Sequence, residues 1–374
     1  MVRHSLLWPT ALLAVAALTA LSGCAAESSA APTESPGGSA PASTTAPPTA
    51  RVYACDDLAT TDDVARALAP SGGSLPSPVA AIQPQTHLSD YVVPFIGGLS
   101  CSWRVGTAAG SPLEYPAESD WAYLTIKVVP AAAGSWTPYA QGDSPDDTLT
   151  TIAGIDAATG CGDPGCVISA PVGDAWVEIK MSTIFFGIGE GHFAGMTTEA
   201  ILAQLQPFAA SVFTTLTDAA PSQLAWPASD VTKREPACTG ALKPQAIAMA
   251  LGIAPFEYEV YDTNTAPKYF DGYVNQRAGF FTCYVQADGA QGTSITVGYD
   301  LAGIVDTMID ARDTEAALPQ VTLEGAISGE HAVQVCADTS TWCTVIFSLG
   351  NAAYRVESRN NALAVAEAVI AQAR

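Results

Sequence analysis

The sequence predicts an α+β fold built twice: two tandem copies of an antiparallel sheet flanked by N- and C-terminal helices, each closed by two disulfides. Three observations carry that expectation. Apart from Cys24, the cysteines fall into two sets of four: Cys55, Cys101, Cys161 and Cys166, then Cys238, Cys283, Cys336 and Cys343. Their successive separations are 46, 60 and 5 residues in the first set and 45, 53 and 7 in the second, which marks an internal repeat. Landmarks recur at matching offsets: Ala54-Cys55 with Ala237-Cys238, Ala67-Leu68 with Ala250-Leu251, Gly154-Ile155-Asp156-Ala157 with Gly329-Glu330-His331-Ala332, and Gly173-Asp174-Ala175 with Gly350-Asn351-Ala352. Each copy also reads helix, strands, helix, the order of a sheet with one face covered by its terminal helices.

The elements follow in order. Thr60 or Thr61 is placed to cap a short amphipathic helix through Val64, Ala65, Ala67 and Leu68. In the second copy Pro244 suits a first helical turn before Ile247, Met249 and Leu251. A long loop comes next in each copy. Strands are expected over 99–105 and 121–129, and over 280–285 and 294–299, with a helix near 301–312. Hairpins join 167–170 to 175–181 and 344–349 to 353–356, because Gly-Asp and Gly-Asn between β-like runs read as tight turns. Closing helices are expected over 197–216, with Pro207 as the place where it would break, and over 362–373. Four cysteines allow three pairings per copy, and proximity favours first with second and third with fourth. Neither close pair has the CxxC spacing of a metal site, and neither has a nearby histidine in both copies.

The N-terminus reads differently. Arg3, with His4, precedes an uncharged stretch over 6–21 that suits a signal peptide and is too short for a comfortable membrane span. It ends in Leu21-Ser22-Gly23-Cys24, which resembles the lipobox of bacterial lipoproteins. That resemblance implies cleavage before Cys24 and a diacylglycerol on its sulfur. Residues 25–50 are Ala, Ser, Thr, Pro and Gly except for Glu27 and Glu34, a composition that cannot bury a core and reads as a stalk with a reach of about 28 Å. The expected organisation is therefore a signal peptide over 1–23, the acylated cysteine and stalk over 24–50, a first domain over 51–220, a linker over 221–235 and a second domain over 236–374. The formal charge of −22 argues against nucleic acid and anionic lipid heads as partners, so the expected membrane attachment is the diacylglycerol.

Taken together, the lipobox at Cys24, the stalk, Cys55 before a helix, Cys101-Ser102-Trp103 and the element Gly154 to Ala157 resemble small secreted lipoprotein families of actinobacteria grouped under unknown function. The resemblance implies a PsbP-like α+β shape. This chain departs from the pattern in having two copies and a second cysteine pair in each.

Catalytic motifs are sparse. Beyond His4 the histidines are His87, His192 and His331. No Gly-x-Ser-x-Gly elbow, P-loop or His-Glu-x-x-His occurs. Gly187 to His192 reads as a hairpin tip, and Asp143, Asp146 and Asp147 lack EF-hand spacing. Because Asp156 stands at the position equivalent to His331, that histidine reads as a turn residue. No catalytic residue, metal or cofactor is therefore expected. One stretch stands out: Phe256, Tyr258, Tyr261, Tyr269, Phe270 and Tyr273, interleaved with acids, form a candidate binding surface, since tyrosine gives large contact area at low entropic cost. Packing over the sheet is the other use for these rings. The expected function is a non-enzymatic, lipid-anchored binding or interaction protein on the extracellular face of the cytoplasmic membrane. Its partner would be an envelope glycan, lipid, peptide or exported protein. An envelope-active hydrolase with a site between the domains, or an adaptor subunit of an envelope complex, is the alternative.

Overall fold

The computed structural model describes residues 51–110, 120–140, 147–162, 165–183, 191–218, 224–229, 231, 238, 242–261, 268–287, 292–311, 317–337, 342–359 and 361–374. The expected signal peptide, Cys24 and the stalk lie outside these residues, as do Asp143, Asp146 and most of the Gly187 to His192 segment.

In the first copy β1 (Arg51–Val52) leads into α1 (Cys55–Leu58) and α2 (Thr61–Ala67). Thr60 starts α2: its hydroxyl accepts from the Asp63 N–H and the Asp63 carboxylate accepts from the Thr60 N–H, both at 3.2 Å, a capping box. The sheet comprises β2 (Val79–Ala80), β3 (Leu99–Val105), β4 (Ala122–Val129), β5 (Thr148–Ile152), β6 (Ile155–Gly162), β7 (Gly165–Val172) and β8 (Ala175–Thr183), in the order β2-β3-β4-β8-β7-β6-β5. All its pairings are antiparallel. The helix α3 (Thr198–Asp218) closes the copy and runs unbroken through Pro207. The buried Leu205, Phe208, Ala209, Val212 and Phe213 on one side of it supply packing that outweighs the lost hydrogen bond of the proline, worth about 3 kcal/mol.

The segment β9 (Leu224–Ala225) lies in the expected linker and pairs in parallel with β1, while Trp226 stacks on Tyr53 with ring centroids 4.5 Å apart. The second copy then repeats the plan with α4 (Pro244–Leu251), β10 (Glu257–Tyr261), α5 (Phe270–Ala278), β11 (Phe281–Gln286), β12 (Ser294–Gly298), α6 (Gly303–Ile309), β13 (Ala332–Cys336), β14 (Cys343–Leu349), β15 (Ala352–Ser358) and α7 (Ala362–Ala373). Its sheet order is β10-β11-β12-β15-β14-β13. That matches the first copy strand for strand, with a single bridge from Gln320 to Val333 where β5 would stand.

Register shows the repeat at residue level. Cys101 faces Ile126, Ile126 faces Ile179 and Ile179 faces Ile168; in the second sheet the same row is Cys283, Ile295, Val356 and Val345. These rows lie on the face that packs against the helices of each copy. The bridge Cys55–Cys101 ties α1 to β3, and Cys238–Cys283 occupies the same place in the second copy. Cys161–Cys166 and Cys336–Cys343 each join directly opposed residues of neighbouring strands. Both turns expected at Gly173 and Gly350 are two-residue hairpin turns, with φ near +60° at the glycine, where a side chain would be strained.

The opposite faces of the two sheets meet. A shared apolar core joins Tyr91, Val93, Ile96, Val129 and Trp176 of the first copy to Phe270, Val274, Ile304, Met308 and Ile346 of the second. Phe270 sets its edge against Trp176 at 5.7 Å between centroids, and Arg277 donates to the Pro130 carbonyl at 2.7 Å. The loop that precedes the second-cysteine strand in each copy therefore serves as the wedge that holds the other copy.

Candidate functional site

Beside this apolar core the joined sheet faces turn polar. Residues alternate sides along a strand, so register alone names the cross-strand rows. In the first copy they are Ser100–Lys127–Glu178–Ser169 and Ser102–Thr125–Lys180–Val167. In the second they are Thr282–Thr296–Arg355–Ile346 and Tyr284–Ser294–Glu357–Thr344. A hydroxyl pair joins the first two strands of each row set, on opposite sides of the cysteine: Ser102 and Thr125 at 3.1 Å follow Cys101, whereas Thr282 and Thr296 at 2.9 Å precede Cys283. The charges are exchanged between the copies, since Glu178 corresponds to Arg355 and Lys180 to Glu357.

Each polar face floors a cavity. The larger, about 420 Å³, has Ser100, Ser102, Thr125, Lys127, Lys180 and Ser182 as its floor, Gln83, Gln85, Asp90 and Tyr91 on one flank, and Asp306, Thr307 and Asp310 from the α6 region opposite. The smaller, about 240 Å³, has Thr282, Tyr284, Ser294, Thr296, Arg355 and Glu357 below, with His87 and Ser89 reaching in from the first copy. The turn at Leu88–Asp90 stands between them: Ser89 faces one cavity and Asp90 the other. Walls of both cavities thus come from both copies.

The floor of the larger cavity is a charge cluster. The Lys127 side chain is 8% exposed and lies 3.4 Å from Asp271 and 3.5 Å from Asp90. Burial works against its charge, but Asp271, Asp90 and Glu178 outweigh it and hold the ammonium protonated well above the ordinary lysine range. Burial likewise opposes the Asp271 carboxylate, and Lys127 overcomes it, keeping that acid ionised. Glu178 is pushed up to about 7 by burial, with Asp271 adding repulsion and the two lysines offsetting part of it. Desolvation also raises the Tyr91 phenol, which accepts from the Gln85 N–H at 2.9 Å. A lysine held so firmly protonated is a fixed cation rather than a nucleophile. In the smaller cavity Arg355 donates to Glu357 at 2.7 Å, while its Nε is buried with no hydrogen-bond partner among the described residues.

The aromatic stretch singled out in the sequence does not make one surface. Phe256 and Tyr258 meet edge to face at 5.0 Å in the core of the second copy. Phe270 is 1% exposed in the core between copies, and Tyr273 lies beside Trp176 there. Tyr269 is 45% exposed. The Tyr261 side chain lies outside the described residues.

The histidines are dispersed. The His192 ring meets the Leu68 carbonyl at 2.6 Å, and His87 lines the smaller cavity. His331 Nδ1 lies 2.6 Å from Asp306 Oδ1 at the rim of the larger one. Ser348 stands close by, but its hydroxyl accepts from the His331 N–H at 2.8 Å and donates to the His331 carbonyl at 3.4 Å, so it is engaged by backbone. His331 takes the register position of Asp156, five residues before the third cysteine of its copy. Among the described residues no group of three or more His, Cys, Asp or Glu is placed to hold a metal ion, and no helix is long and apolar enough to cross a membrane. Of the cavity-floor residues the sequence marks Ser102 alone, and only as part of the Cys101-Ser102-Trp103 motif; the signal for the rest is the repeated register of polar residues on either side of Cys101 and Cys283.

The chain matches no protein-family model, no curated protein and no solved structure.

Proposed function

We propose that this protein is an extracytoplasmic binding protein of the bacterial envelope, tethered through a lipid on Cys24 and a stalk, that holds a small polar ligand between its two copies. The observation that carries the reading is the 420 Å³ cavity with a floor from one copy and a wall from the other. Its volume falls within the range of about 300–1,000 Å³ seen for small-molecule sites. The firmly charged Lys127, together with hydroxyl and amide groups, suits recognition, because fixed donors and acceptors orient a ligand without reacting with it. The pairing of His331 with Asp306 favours a hydrolase as the second reading. It needs a nucleophile near the free ring nitrogen, and Ser348 is already engaged by the backbone.

The test is to fill the cavity. In a thermal-shift screen of envelope glycans, peptides and lipids against the full chain, a ligand should raise the melting temperature of the natural protein. The shift should vanish in both Ser102→Trp and Thr307→Trp, which obstruct the cavity from opposite walls. A ligand whose shift survives both substitutions binds elsewhere and sinks the reading.

A further inference from the structure

The charges around the larger cavity define its ligand more closely than its volume does. Lys127, at the bottom, is matched by Asp90 and Asp271 and has no charge to spare. Lys180, on β8 opposite Thr125, is half-buried; Glu178 and Asp271 attract it, but its ammonium makes no hydrogen bond or close ion pair among the described residues, so its N–H donors are open to the cavity. Ammonium donors left open on a half-buried lysine are best met by a charged acceptor, so this part of the floor suits an anionic group. On the opposite wall Asp306 is taken by His331, whereas Asp310, just past the end of α6, is exposed and its carboxylate has no partner among the described residues. Ser100, Ser182, Gln83 and Gln85 line the same cavity and add hydroxyl and amide groups to it.

A purely anionic ligand fits this arrangement poorly. It would have to pass Asp306 and Asp310 on a protein with a formal charge of −22, and like charge at a site suppresses such partners. A cation alone would leave the Lys180 donors without an acceptor. A ligand carrying both charges satisfies both walls. Resting on the reading of this cavity as a ligand site, we infer that it binds a zwitterion of the amino-acid or short-peptide class. The carboxylate lies on Lys180 and the ammonium points toward Asp310.

Titration calorimetry on the full chain tests this with four probes: trialanine with free termini, its C-terminal amide, its N-acetyl form and a neutral disaccharide. Free trialanine should bind, and amidation should weaken it at least about tenfold, the scale of one lost charge-assisted hydrogen bond. Lys180→Met should cause the same loss and remove the difference between acid and amide. Asp310→Asn should do the same for acetylation. Unchanged melting temperatures in both variants would confirm that the fold is intact. Equal binding of free and capped peptides, or a Lys180→Met variant as tight as the natural protein, would overturn the inference. A disaccharide that binds and is lost in Thr307→Trp would overturn it while leaving the cavity as the ligand site. No binding by any probe would count against both.

Discussion

Lys127 and Glu178 face each other across β4 and β8; burial opposes the charge of both, and their neighbours decide the outcome in opposite directions. Lys127 gains two carboxylate neighbours and stays charged, whereas Glu178 shares those neighbours as repulsive charges. Its folded pKa of about 7 lies above the ordinary value of 4.5. Between these values the unfolded chain gives up the Glu178 proton first. The stability contributed by this group is therefore complete below about pH 4.5 and lost as pH rises through about 7. Glu178→Gln, neutral throughout, should match the natural protein near pH 4.5 and exceed it by pH 8, by on the order of 2 kcal/mol. Urea unfolding at a series of pH values measures this; a gap that stays constant or shrinks as pH rises would refute it. The lysine row itself was invisible in the sequence, because Lys127 and Lys180 acquire meaning only when register sets β4 beside β8.

Among the elements, the repeat frame was the most legible part. Cysteine spacing, the Gly173 and Gly350 turns and the closing helix over 362–373 are local signals, and each survives in the structure. The helix α5 stands where the sequence suggests a loop, and its composition explains why. Gly272 and Asn275 weaken its helical propensity, and its buried residues Phe270, Val274 and Ala278 form a single narrow stripe. That stripe is spent on the other copy, so tertiary packing rather than intrinsic preference sustains the helix. The strand β5 leaves no mark in the sequence because its residues are largely exposed at a sheet edge, where no buried face imposes alternation. Neighbouring rings on this segment should consequently behave very differently. Phe270→Ala should cost about 3–5 kcal/mol, while Tyr269→Ala should stay within about 0.5 kcal/mol. Chemical denaturation of both variants decides this, and equal losses would mean that α5 does not wedge the copies together as described.

At the scale of the whole molecule, duplication supplied two similar sheets whose polar faces meet, and divergence then exchanged their charges. Copy one keeps Lys127, Glu178 and Lys180 where copy two has Thr296, Arg355 and Glu357. One cavity is larger and carries a lysine that makes no hydrogen bond or close ion pair among the described residues, while the other encloses an arginine–glutamate pair. No linear motif encodes such a site: Ser102 and Asp306 are far apart in the chain and meet only because two wedge segments dock opposite sheets. The central claim is that a ligand is held by both copies at once. Hydrogen–deuterium exchange on the full chain, with and without saturating trialanine, addresses it most directly. Slowed exchange should appear together in Leu99–Val105, Ala122–Val129 and Ala175–Thr183 of the first copy and in Gly303–Ile309 of the second. Protection confined to one copy, or absent from these four segments, would contradict the account.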